Sequence, residues 1–166
     1  MALDEYKRKR DFSKTPEPEG EVSESFCKEI ERNYKNRIKK TGRPLYMVHD
    51  HYSRSHHHDL RLEMEGILKS WAIPKLIDPK DLGAKRLAVQ TEDHPLAYGY
   101  WEGVIPEGNY GAGKSLIWDT GTFEMVDFRK DEKIIFKIKG KKLNGTFVLI
   151  HFRPQERNWL FFRKKG

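Results

Sequence analysis

Apolar positions along this chain keep two different periods. Between residues 21 and 40, Phe26, Ile30, Tyr34 and Ile38 recur at every fourth place among charged residues. That spacing predicts a surface helix over about 24–40 with a narrow apolar stripe, ended by Gly42 and Pro44. From Leu45 onward the grammar is that of strands. Residues 45–48 are a short apolar run, and residues 59–65 alternate, with Leu60, Leu62 and Met64 in every second place. Glu65 and Gly66 supply a turn, and residues 67–73 return as a hairpin partner stopped by Pro74. Residues 86–92 alternate again, and apolar runs follow at 116–118, 122–126, 134–138, 146–152 and 159–162. Turn signals at 119–121, 139–140, 144–145 and 153–154 separate them. Many short strands with no helical pattern between them predict an antiparallel sandwich or barrel. A barrel is the better solution, because closure removes exposed strand edges.

Residues 1–20 follow neither period. A basic run from Lys7 to Arg10 is succeeded by prolines at 16 and 18, which block regular structure. This segment predicts a flexible basic arm that contributes nothing to a core. Residues 21–166 are one domain's worth of chain, enough for a single core. The expected fold is mainly β: a compact antiparallel β-barrel with a short N-terminal helix and a flexible basic N-terminal arm.

Charge changes the picture more than composition does. The net charge of +7 favours polyanionic partners, nucleic acid before membrane, since no segment has a strong apolar face. No apolar run approaches the roughly 20 residues of a membrane span, and the polar N-terminus is no signal peptide. Cys27 is the one cysteine, so neither a disulfide framework nor a cysteine zinc cluster is available. A reducing, cytoplasmic setting is the simplest expectation.

The candidate chemistry sits at residues 51–65. On the alternating strand, His57, Asp59, Arg61 and Glu63 share the face opposite Leu60, Leu62 and Met64. An imidazole, a carboxylate and a guanidinium in consecutive places suit a divalent metal beside an anion. His51 lies a short loop upstream and can fold back as a third ligand. His56 and His58 point the other way by parity, and a merely solvated histidine loop is the competing reading. Arg86, Glu92 and His94 have one parity and would line one face if their strand continued, with Tyr98 just beyond. The glycines of residues 102–113 lack the lysine ending and following helix of a P-loop, so nucleoside triphosphate binding is rejected.

In order, His51, His57, Asp59 and Arg61, the 68–75 segment ending in Lys75, the 85–90 segment with Arg86, and Glu92, His94 and Tyr98 form a recognisable series. It continues through Glu102 to Gly113 and closes with residues 117–119. In these motifs the chain resembles the 3′-phosphoesterase domain of the bacterial end-joining enzyme DNA ligase D, in its free-standing form. The arm, with Arg10, Asp11, Phe12 and the 15–18 segment, is similar too. The resemblance implies a manganese-dependent β-barrel enzyme, with zinc or cobalt as substitutes, that heals 3′ ends of DNA or RNA primers. It implies removal of a 3′-terminal ribonucleoside and then hydrolysis of the 3′-phosphate to a 3′-hydroxyl. It places His51, His57 and Asp59 as metal ligands and Arg61, His94 and Tyr98 around the scissile phosphate. Arg86, Glu92 and Lys75 take supporting positions, and Arg10, Asp11 and Glu17 are arm residues that assist. His49 stands where the family more often has glutamine. The implied partners are primer-template ends and a separate end-joining polymerase and ligase. One rival is a non-catalytic barrel that binds nucleic-acid ends, stacking bases on Trp101, Trp118 and Tyr110. Another is a metallo-phosphoesterase for small cyclic or sugar phosphates.

Overall fold

Nine antiparallel strands form one sheet among the described residues: β1 (Leu45–Tyr52), β2 (His56–Met64), β3 (Ile67–Ile73), β4 (Arg86–Gln90), β5 (Gly103–Ile105), β6 (Gly113–Arg129), β7 (Lys133–Gly140), β8 (Asn144–His151) and β9 (Asn158–Arg163). The structure is a computed structural model that describes residues 3–17, 42–152 and 157–165. The helix expected over about 24–40 lies outside these residues. In space the strands run β1-β2-β3-β4-β9-β8-β7-β6, and β6 pairs back onto β1 to close an eight-stranded barrel. The short β5 is added to the beginning of β6 (Ile105↔Gly113). This is the expected barrel, with every long strand edge paired.

Alternation sorts the side chains into two cores. Inward positions of all eight barrel strands, among them Val48, Leu62, Trp71, Phe136, Phe147 and Phe161, form the interior. Phe147 and Phe161 stack at 5.3 Å. Burying each such side chain is worth roughly 1.5–3 kcal/mol. A second, smaller cluster lies on the outer wall, where Leu45, Leu68, Tyr98, Trp101 and Ile105 pack with Tyr6. The arm is therefore not free over the described residues. Helix α1 (Asp4–Arg8) buries Tyr6 completely, and Phe12 packs beside it. Two isolated aromatics among charges dock the segment, and they leave no period to read in the sequence.

Two further expectations are corrected by the strands themselves. Residues 119–121 are no turn, because β6 runs through them without a break. The buried Asp119 carboxylate accepts the Tyr46 hydroxyl and the backbone N–H groups of Lys141, Lys142 and Leu143. Gly121 marks a close approach: a Cβ there would lie 2.1 Å from the Lys139 carbonyl oxygen. The short loop expected between His51 and the Asp59 strand is shorter still, since both neighbouring strands run into the histidine stretch. β1 extends to Tyr52 and β2 begins at His56, leaving residues 53–55 as the hairpin tip.

Candidate metal centre on the outer wall of the barrel

The register of the β1–β2 hairpin builds the centre. His51 stands opposite His57, and His49 opposite Asp59. With Val48, Leu60 and Leu62 turned inward, these residues and Arg61 share the outer wall. His51 Nδ1 lies 3.3 Å from Asp59 Oδ2, and His57 Nε2 lies 3.2 Å from Asp59 Oδ1. One ligand atom from each of the three residues falls within 4.8 Å of the others.

The opposite ring nitrogens are already committed. His51 Nε2–H donates to the Gly111 carbonyl at 2.8 Å, and His57 Nδ1–H donates to the Ser55 carbonyl at 2.7 Å. Each imidazole thus turns its second ring nitrogen toward Asp59, the arrangement by which backbone carbonyls orient metal-binding histidines. Burial alone would raise the Asp59 pKa, but hydrogen bonds from His51 and His57 hold it well below the usual carboxylate range. Burial would lower His57, yet its hydrogen bond to Asp59 and that residue's charge raise it. A divalent cation satisfies all three groups at once, so the donor set fits a metal with positions left open.

Arg61 is held beside this triad from several directions. Its Nε donates to His49 Nδ1 at 3.0 Å and its Nη1 to Ser70 Oγ at 2.8 Å, while Nη2 lies 3.6 Å from Asp59 Oδ2. Its guanidinium sits over the Tyr98 ring at 4.7 Å. A guanidinium has five N–H donors, so some remain for a ligand. His49 is completely buried and hydrogen-bonds the Trp101 carbonyl through Nε2–H. Burial first, and then the Arg61 charge, push its pKa down to about 3, so the ring is a neutral acceptor for Arg61.

His94 reaches the same pocket through a slip in strand pairing. β3 pairs with β4 at Trp71↔Gln90, but Leu68 is bridged to His94, one residue later than regular pairing would give. The unmatched residue turns His94 to the outer wall, beside Ser70, whereas Arg86 of the same parity stays on the other side. His94 Nδ1–H donates to the Glu92 carbonyl at 2.8 Å, leaving Nε2 with the lone pair. Burial, followed by the charges of Arg61 and Arg10, holds His94 well below its ordinary pKa.

The arm closes the far side. Glu17 accepts Arg10 Nε at 2.9 Å, Thr15 Oγ1 at 2.9 Å and the Tyr98 hydroxyl at 2.7 Å. Arg10 Nη1 also donates to Glu92 Oε1 at 3.1 Å. The resulting pocket has a volume of about 300 Å³ and is lined by His51, His57, Asp59, Arg61, His94 and Arg10, among others.

Three expected residues are not brought into it. Arg86 spends its guanidinium on the carbonyls of Leu76, Asp81 and Ala84, holding that loop, because β4 ends at Gln90 and the slip breaks the shared parity. Lys75 is exposed and does not line the pocket. Asp11 is exposed and bonds Ser13, which lowers its pKa. Sequence reasoning missed Ser70, which touches both Arg61 and His94. Its signal was a hydroxyl between Leu68 and Ala72 in an outward row. His56 and His58 form a separate group, both directed at Asp50.

The family model of the DNA ligase D 3′-phosphoesterase domain matches residues 49–151. The chain is 42% identical over 171 positions to the multifunctional non-homologous end joining protein LigD of Pseudomonas aeruginosa, across 98% of this chain and 18% of that protein. It is 37% identical over 173 positions to the multifunctional non-homologous end joining DNA repair protein LigD of Mycobacterium tuberculosis, across 99% of this chain and 20% of that protein. The corresponding protein of Mycolicibacterium smegmatis is 39% identical, again with 20% of its length covered. The chain therefore spans about a fifth of the length of these curated relatives. With the His51–His57–Asp59 triad, Arg61 and His94 all inside the matched span, the chain belongs to the DNA ligase D 3′-phosphoesterase domain family.

Proposed function

We propose that this chain is a metal-dependent phosphoesterase that heals 3′ ends of DNA or RNA primers in end-joining repair. The observation that carries the reading is the convergence of a three-ligand metal triad and an anchored guanidinium in one pocket. His51, His57 and Asp59 would hold the ion. A mixed nitrogen and oxygen set suits manganese, zinc or cobalt better than calcium or magnesium, and manganese is the ion we assign. When bound, the metal supplies Lewis-acid polarisation of a phosphoryl oxygen and a lowered pKa for bound water.

The chain's own groups do the rest. Arg61 binds a phosphate oxygen with its remaining donors, and its anchors on His49 and Ser70 remove the cost of reorienting it. His94 offers the Nε2 lone pair to a protonated phosphate oxygen or a ribose 2′-hydroxyl, the group that distinguishes RNA. Burial first, and then the Arg61 and Arg10 charges, keep His94 neutral, and incoming phosphate offsets only the charges. In the diesterase reaction water adds to phosphorus and the bond to the terminal nucleoside's 5′-oxygen breaks, leaving a 3′-phosphate. In the monoesterase reaction a second water displaces the 3′-oxygen, giving inorganic phosphate and a 3′-hydroxyl. Tyr98 acts indirectly, since its hydroxyl is spent on Glu17. We place a polymerase and a ligase, in the same chain or separate, as partners.

The non-catalytic end-binding reading is weakened by its own aromatics. Trp101 is buried and cannot stack a base, and Lys142 lies over the Trp118 ring. The test is a labelled primer-template ending in one ribonucleotide, incubated with and without manganese. Manganese-dependent formation of 3′-phosphate and then 3′-hydroxyl ends is expected, and Asp59→Ala should abolish both. Tight end binding without turnover under any divalent metal would sink the enzyme reading.

A further inference from the structure

Outward positions of an antiparallel sheet that faces water are ordinarily polar, but those on the side of the barrel away from the metal centre are not. β8 stands four strands from β2 in either direction around the closed sheet, so it lies diametrically opposite. Strands β7, β8, β9 and β4 turn Phe136, Phe147, Phe161 and Ala88 inward. Alternation therefore puts Ile135, Val148, Ile150, Leu160, Phe162 and Leu87 on the outside. Register makes them contiguous. Ile135 faces Val148, which faces Phe162, and in the next row Ile150 faces Leu160, which faces Leu87. Val148 at the centre is 5% exposed, whereas Leu87 and Ile150 toward the rim are 41% and 37% exposed.

Cations border this apolar floor. Lys137 faces Thr146, and the Lys164 N–H donates to the Thr146 carbonyl at 2.8 Å, so the two lysines flank the adjoining row. Lys133 begins the row of Ile150, and Lys85 lies over the Phe162 ring at 5.4 Å. Beside Ile135 a cleft of about 960 Å³ is lined by Lys137, Arg163, Lys164 and Lys165 and, among the described residues, by no carboxylate. None of these cations pairs with a carboxylate among the described residues. The carboxylates at the β6 edge, Glu124 and Asp127, lie beside Arg43 and Arg129 at 3.7 and 3.5 Å.

We infer that this wall docks an acidic amphipathic helix of a partner protein. Its apolar stripe lies on Val148, Ile150 and Leu160, and its carboxylates meet Lys137, Lys164 and Arg163. Each of the four strands is hydrogen-bonded on both edges, so no strand can be added and the occupant must lie on the face. A helix with one apolar stripe is the element that covers a sheet face. Nucleic acid would use the lysines but would find no free platform for a base, since the aromatic ring in these rows, Phe162, already lies under Lys85. A second copy of the chain would bring the same cations against the first. Glutamate and aspartate beside apolar anchors complement both the floor and its border. Because the wall is opposite the metal centre, such a partner and a ligand in the metal pocket can be held together.

The test uses the whole chain and a fluorescein-labelled peptide of about 18 residues, with leucine at helical spacing on one face and glutamate elsewhere. Anisotropy should show saturable binding that weakens at least about fivefold between roughly 0.05 and 0.5 M salt. The same peptide with lysine for glutamate should not bind. Leu87→Asp/Ile150→Asp and Lys137→Glu/Lys164→Glu should each weaken binding about tenfold or more, with cooperative melting as the check on folding. Leu87→benzoylphenylalanine adds a readout that does not depend on weakening: on irradiation it should attach to the acidic peptide. Equal binding of the lysine peptide, or affinity unchanged in both double variants, overturns the proposal. So does displacement of the peptide by a single-stranded oligonucleotide. Cross-links from position 87 to residues 18–41 of the same chain, or to a second copy, assign the wall to another occupant and overturn it as well.

Discussion

Removing the Arg10 guanidinium should undock the arm, and the magnitude follows from what it leaves behind. Arg10 joins Glu17 and Glu92, and the side chains of all three are 4% exposed or less. Breaking a buried pair by deleting one partner costs about 3–5 kcal/mol, because a charge remains without compensation. Glu17 keeps the hydroxyls of Thr15 and Tyr98, and Glu92 keeps Lys9 at 3.3 Å. Those remaining donors put Arg10→Met at the lower end, about 3 kcal/mol. For a chain of this size that is a fall of roughly 6–12 °C in Tm. If the arm opens before the barrel, the loss appears instead as tryptic cleavage after Lys14 under conditions where the wild type is resistant. Guanidinium melts and timed proteolysis read the two cases. The triple variant Arg10→Met/Glu17→Gln/Glu92→Gln removes the stranded charges and should recover at least half of the loss. Arg10→Met with unchanged melting and unchanged proteolysis would refute the claim that this network fastens the arm.

Other consequences are as open to measurement. His49→Gln retains an acceptor for Arg61 Nε and a donor for the Trp101 carbonyl, so kcat should stay within about tenfold; His49→Ala strands the Arg61 contact and should cost about a hundredfold or more in kcat, with melting as the control. Stability should fall as pH drops from about 6.5 toward 4: burial lowers His58 to about 4, so the unfolded chain binds the extra proton in this window. Full protection is present above about 6.5, and His58 alone accounts for ~3 kcal/mol at 1.36 kcal/mol per pH unit. His57, raised by Asp59, acts in the opposite sense, its contribution being present below about 6.5 and lost as pH climbs through its folded value. Urea titrations from pH 7 to 4 should give a shallower slope for His58→Asn; an identical slope would contradict the assignment. Asp119→Ala orphans the Tyr46 hydroxyl and three backbone N–H groups and should cost about 3 kcal/mol in thermal melts, leaving metal affinity unchanged.

The sequence carried the barrel because alternation is a local signal. Leu60, Leu62 and Met64 announce the inward face of β2, and the same period assigns His57, Asp59 and Arg61 to one wall. What it could not carry was pairing. Nothing local says that His51 stands opposite His57, or that Ser70 lies across from Arg61; those are facts of register between strands. Asp119 failed as a turn signal because its carboxylate serves a distant loop. The arm failed because Tyr6 and Arg10 are isolated residues whose docking contacts follow no period along the chain. Arg86 was misjudged for a related reason: parity holds only while a strand keeps its register, and here it slips before His94.

That slip makes chain length, and not only residue type, a determinant of the chemistry. Deleting one residue between Gln90 and His94 would remove the unmatched residue and leave the imidazole opposite Leu68 in regular pairing, still on the wet wall. Inserting one there, with the slip kept at one residue, would carry the imidazole one place further and turn it into the greasy interior, without altering any side chain of the metal triad. Substitution scans keep length constant and never sample this, so the position is one where a codon-sized insertion would act as an off-switch on an otherwise intact barrel.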